Sequence, residues 1–261
     1  MSKPELPRTK GENYVPTPND VFATRRYLLE RVPAELANLI LDEASYWPKV
    51  SSRVIAGDRN LIVSAIASEN NDASRCCLLS PTLNEWITAE AKVSSSLKIK
   101  AVCFTIVSHD QGWASENNFS GKYEGSWTWF EAVIVRNFRQ DILDQGLDDG
   151  GIRHLLEIRG GDAESPLVTT VTNAQSDSDT WHVQSNVRAH NQAVKHTILW
   201  SDKVEDDIDD DSLYIETGSN SGRGFVRSLE MGDRIAIIAR AKYPGWGNYI
   251  EKIELEVYYS V

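Results

Sequence analysis

Apolar side chains change their spacing near position 50, and that change divides the chain. Between residues 19 and 48 they recur at three- and four-residue intervals, the period of a helix with one buried face. Asn19 or Asp20 can cap a first helix carrying Val21, Phe22, Tyr27, Leu28 and Leu29. Pro33 suits the opening of a second at Ala34, in which Leu36, Leu39, Ile40 and Ala44 form the stripe, and Pro48 stops it. From about Arg53 the period falls toward two, in short runs bounded by Gly, Asn, Asp and Ser. Strands are predicted over 59–67, 76–79, 86–93, 97–107, 127–137, 182–186, 195–200, 234–241 and 249–259, and the run 224–229 precedes a turn at 230–233. The strand over 97–107 turns apolar on both faces toward its end, which predicts an interior strand covered on both sides. In the last strand Leu255, Val257 and Tyr259 share one face and Glu254, Glu256 and Tyr258 the other. Residues 139–180 show little period and leave room for one or two strands.

Strands in series without intervening helices predict a mainly β fold, an antiparallel β-sandwich of jelly-roll-like form, with a galactose-binding-like arrangement as one version of it. Residues 1–18, broken by Pro4, Pro7 and Pro16, read as an extended arm. Residues 19–50 read as a short helical segment and 51–261 as the sandwich domain.

Composition narrows the function. Of 261 residues 41% are hydrophobic, enough for a sizeable core, and 38 acidic against 27 basic groups give a net charge of -11. That balance argues against nucleic acid and anionic membrane surfaces as partners. The first residues lack the apolar core of a signal peptide, no apolar run reaches membrane length, and Cys76, Cys77 and Cys103 form no metal-ligand spacing, so a cytoplasmic protein is expected.

The candidate chemistry lies where indoles and hydrogen-bonding groups meet at turns. Asp110, Gln111 and Trp113 follow the 97–107 strand, and Trp246 and Asn248 follow Tyr243-Pro244-Gly245. A flat indole face with nearby amides and carboxylates suits a ring bearing hydroxyls, so these five are the expected ligand-binding residues, with carbohydrate or a small ring-shaped metabolite as ligand. If the protein is instead an enzyme acting in a sandwich cavity, His109, Asp110 and Glu131 supply the acid and base. Trp127 and Trp129, two apart, share a sheet face and read chiefly as core framework. No cofactor is expected and no metal site. His182, His190 and His196 lack zinc spacing, and the acidic run 205–211 lacks the glycine and terminal glutamate of a calcium loop, so it reads as a solvated loop. Residues 218–224 carry phosphate-loop glycines without the following Lys-Ser or Lys-Thr, and read as a flexible hairpin or crossover.

Taken together, Ser108-His109-Asp110-Gln111-Gly112-Trp113, Gly125-Ser126-Trp127-Thr128-Trp129-Phe130-Glu131-Ala132, Gly224-Phe225-Val226-Arg227-Ser228-Leu229 with Gly232-Asp233-Arg234-Ile235-Ala236, and Pro244-Gly245-Trp246 resemble a group of uncharacterised fungal proteins sharing a C-terminal β-sandwich. The resemblance covers roughly 95–261 and implies a fold, not a reaction. Residues 32–41, Val-Pro-Ala-Glu-Leu-Ala-Asn-Leu-Ile-Leu, are similar to the opening helix of an F-box, which implies a protein partner for residues 19–50. The expectation is a non-enzymatic ligand-binding sandwich, with a metabolite enzyme and a protein-interaction scaffold or F-box-like adaptor as alternatives.

Overall fold

The computed structural model describes residues 14–57, 61–68, 70–91, 97–115, 119, 121–138, 168–203 and 209–260, with the backbone alone at 88–91, 137–138 and 168. Among them run ten strands: β1 Lys49–Ile55, β2 Leu61–Ser64, β3 Asp72–Leu79, β4 Lys98–His109, β5 Thr128–Phe138, β6 Val168–Thr170, β7 Trp181–Ser185, β8 Val194–Ser201, β9 Arg234–Lys242 and β10 Gly247–Ser260. They form two antiparallel sheets packed face to face. One runs β1-β10-β4-β8, with β2 also on β10; the other runs β3-β9-β5-β6, with β7 also on β5.

The pairings are nested. β1 pairs with β10, β3 with β9, β4 with β8 and β5 with β7, so the chain is a ribbon doubled back at β5–β7 and rolled until its two ends meet. This is a jelly roll. The period of two decides which side chains enter it. Val102, Phe104 and Ile106 of β4 and Leu255, Val257 and Tyr259 of β10 face Phe130, Ala132 and Ile134 of β5 and Ile235 and Ile237 of β9 across the core. β4 is an interior strand, between β10 and β8, as its two apolar faces require.

Helices close the open sides. In α3, Leu83–Ala91, Leu83 and Ile87 lie one turn apart and enter the core. This corrects the strand expected over 86–93. Thr82 Oγ1 accepts the Glu85 backbone N–H at 3.3 Å and donates to the Glu85 carboxylate at 2.7 Å, and that cap starts a helix where β-branched composition reads as a strand. On the other side the segment expected as a flexible hairpin or crossover, 218–224, is packed. The Trp200 indole N–H donates to the Asn220 carbonyl at 3.0 Å and that of Trp181 to the Arg223 carbonyl at 3.1 Å. Gly222, at φ +66°, lies so close under Trp200 that a Cβ would stand 2.0 Å from the ring. The segment leads into α5, Phe225–Ser228, in the run that precedes the turn at 230–233, and Phe225 packs edge-to-face on Trp200 at 4.9 Å and Trp181 at 5.1 Å. A further helix not foreseen, α4, Asp210–Thr217, is capped by Asp209 and ended by Gly218 in the left-handed conformation.

The helical segment is a hairpin of α1, Pro18–Leu29, and α2, Ala34–Glu43. Thr17 caps α1 and Asp20 answers it from the third position, so the cap lies ahead of the expected Asn19 or Asp20. In α2 the buried side chains are Ala37 and Leu41, while Leu36, Leu39 and Ile40 of the expected stripe are 48%, 53% and 45% exposed. The inward seam runs one position along from the most apolar one. No helix among the described residues is long and apolar enough to cross a membrane.

Candidate functional site

Because β4 and β10 are antiparallel neighbours, with His109 opposite Tyr249, the residues leaving β4 arrive beside those entering β10. Gln111 joins the two stretches: its side-chain oxygen accepts the Gly247 N–H at 3.1 Å, and its amide donates to the Trp113 carbonyl at 2.6 Å. The Trp113 indole lies so close to Gly245 that a Cβ there would stand 2.7 Å from it. The two indole-bearing loops named by the sequence thus converge at one end of the sandwich.

A cavity of about 280 Å³ opens at this corner, lined by Ala114, Ser115, Gly125, Trp127, Tyr243, Pro244 and Trp246. Trp127 and Tyr243 stand at 86° with ring centroids 4.6 Å apart, two walls of a box. Trp113 is 54% exposed beside it, and Trp246 is 8% exposed within it. Tyr243 holds φ at +69°, a left-handed conformation costing about 1–2 kcal/mol in a residue with a side chain. Its N–H donates to the carbonyl of Asn71, itself at φ +51°, and Trp246 accepts the Ala65 N–H at 3.0 Å. Such strain persists only where the surroundings impose it, and here it sets the angle of a cavity wall.

The indole N–H groups separate framework from site. Those of Trp47, Trp129, Trp181 and Trp200 donate to Asp42, Glu131, Arg223 and Asn220. Among the described residues, those of Trp113, Trp127 and Trp246 at the corner have no protein acceptor, nor does that of Trp86 on α3. Trp127, read from sequence as core, points outward. Phe130, Ala132 and Ile134 occupy the inner face of β5, so Trp129 and Glu131 take the outer one and Trp127 runs on in their phase. Glu131 carried the signal that was missed, since a carboxylate in register with two indoles marks their face as the outer one.

Two of the expected ligand groups are interior, which corrects the site. Asp110 is wholly buried: one carboxylate oxygen accepts the N–H groups of Gly112 and His190 at 2.7 and 2.9 Å, and the other accepts that of Ala189 at 2.6 Å. Burial pushes its carboxyl pKa up, against the three amides that favour the ionised form. Asn248 is also wholly buried, donating to the carbonyls of Trp129 and Arg240 at 3.2 and 3.3 Å and accepting from Asn186 at 3.0 Å. Asn186 in turn bonds Ser108 and Thr128, so this polar chain ties the two sheets together behind the corner.

The acid–base trio does not assemble. His109 stacks on Tyr249 at 4.9 Å on the outer face of one sheet, with Nδ1 2.6 Å from the Asp110 carbonyl. Glu131 lies on the outer face of the other sheet, accepting the Trp129 N–H at 2.7 Å with Arg240 3.5 Å away. Asp110, between them, is saturated by backbone amides. Among the described residues no three His, Cys, Asp or Glu side chains are grouped to hold a metal ion.

A larger hollow of about 740 Å³ lies between the β2 and β3 edges and includes Val63, Ala73 and Cys77 of the core. It is the gap where the two sheets part, and among the described residues no aromatic ring lines it. No family model matches the chain, and no curated protein or solved structure matches it either.

Proposed function

We propose that the protein is a non-enzymatic binding protein that takes one carbohydrate ring at the corner built by Trp113, Trp127, Tyr243 and Trp246. The observation that carries this reading is the set of three indole N–H groups without acceptors among the described residues around one aromatic-walled cavity. Indole faces stack on the C–H face of a sugar ring while the N–H groups donate to its hydroxyl oxygens. At about 280 Å³ the cavity is at the small end of the range for ligand sites, about 300–1,000 Å³, so a single ring fills it. Gln111 contributes by fixing the Trp113 loop to β10.

Calorimetric titration with a panel of methyl glycosides tests the reading. Trp113→Ala and Trp127→Ala are each expected to weaken the bound glycoside at least about tenfold. Trp129→Ala, whose indole N–H is engaged by Glu131, is the comparison. Equal losses in all three variants, or no binding of any glycoside by the unaltered protein, refute the site. A second reading, a protein partner for residues 19–50, rests on the exposed Leu36, Leu39 and Ile40 of α2.

A further inference from the structure

Perpendicular aromatic walls suit two opposite ligand types, a sugar ring or an organic cation, and the charges around the corner distinguish them. Among the described residues no carboxylate lines the cavity. Lys242, the last residue of β9, is tied to both walls: its backbone N–H donates to the Trp127 carbonyl at 2.9 Å, and its ammonium sits 5.6 Å from the centre of the Tyr243 ring. Its one carboxylate neighbour among the described residues, Asp72, is 4.0 Å away and is held more closely by Arg240 at 2.7 Å. The opposite wall is backed by a cation as well. Phe119 packs against Gly125, and the Arg188 guanidinium lies 4.9 Å over the Phe119 ring. Of the described acids nearby, Glu124 turns toward the Gly121 N–H and Asp110 into its three amides.

We propose that the ring bound at this corner carries an acidic substituent, a uronate-type carboxylate or its equivalent, and that Lys242 is the residue that selects it. The proposal rests on the ring-binding reading above and adds the ligand's charge. A protein of net charge -11 repels anions at long range, so the preference is local: a carboxylate on a ring seated against the touching Trp127 and Tyr243 rings comes within reach of an ammonium whose present ion pair is long. The same ammonium disfavours an organic cation against those walls.

The experiment measures the affinities of methyl glucuronide, methyl glucoside and choline for the full chain and for Lys242→Gln. The unaltered protein is expected to favour glucuronide over glucoside by about threefold to fivefold, the contribution of one partly exposed ion pair. In Lys242→Gln that ratio is expected to fall to about one, a readout insensitive to any loss of folded protein. Glucoside and glucuronide binding equally well to the unaltered protein overturns the charge assignment and leaves the ring site standing. A ratio that persists in Lys242→Gln overturns the role of Lys242, and choline as the tightest ligand overturns the acidic preference. If none of the three binds, the ring site itself falls.

Discussion

Asp110 and Trp113 stand three residues apart and take opposite parts, one wholly buried and the other 54% exposed. Asp110 gathers three backbone amides, two of them from residues about eighty positions further along the chain. Asp110→Ala is therefore expected to lower stability by roughly 2–4 kcal/mol in chemical denaturation, because buried N–H groups lose their acceptor. A variant as stable as the parent would show that those amides find other partners. Sequence named the Trp113 and Trp246 turns without showing that they meet, and counted Asp110 as a ligand group although it is buried against backbone amides. An Asp at a strand end with Gly two positions on looks the same whether it faces a ligand or staples a distant loop, and its partners Ala189 and His190 are invisible to local pattern. Trp127 was legible in principle, through the phase it shares with Glu131. The left-handed backbone of Tyr243 was not, since it is imposed by Asn71 across space.

Among the elements, the plug over 218–228 shows why two glycines in one loop are not equivalent. Gly222 and Gly224 both hold positive φ, +66° and +79°, but only Gly222 has a ring against its Cα; nothing lies within 4 Å of a Cβ built on Gly224. Gly224→Ala is expected to cost about 1–2 kcal/mol, the backbone penalty alone. Gly222→Ala is expected to cost at least about 3 kcal/mol and to alter the near-ultraviolet circular dichroism of Trp200, which must leave its position on Phe104 and Phe225. Similar losses in the two variants would mean that the plug yields easily. The long strands β4, β5, β9 and β10 were legible because alternation persists over many residues. The plug, α3 and α4 were not: a capping pair, an indole resting on a glycine and a left-handed helix end each outweigh local composition.

For the molecule as a whole, pH acts through two histidines packed at one side of the roll. Burial lowers both His182 and His196 from about 6.5 to about 4. His182 lies against the Gly218 carbonyl and the Tyr214 ring, and His196 against the Tyr123 hydroxyl with its other ring nitrogen buried and without a partner. Above pH 6.5 both are neutral whether the chain is folded or not, and they do not alter stability. As pH falls from 6.5 toward 4 the unfolded chain takes up protons that the folded one refuses, so stability drops, by on the order of 3 kcal/mol per histidine at the lower end. Denaturant midpoints measured between pH 6.5 and 5, above most carboxylate titration, are expected to fall in the parent and to flatten in His182→Asn/His196→Gln. An unchanged slope in the double variant would place the proton uptake elsewhere. Nested pairing sets a different demand, one of timing. β10 is the partner of β1, β2 and β4, and it is the last of these strands to be synthesised. Until residues 247–260 leave the ribosome, β1 and β2 have no sheet to join and β4 keeps an open edge, exposing apolar surface in the crowded space around the nascent chain. The demand these strands place on chaperones is thus set by how fast residues 247–260 are translated.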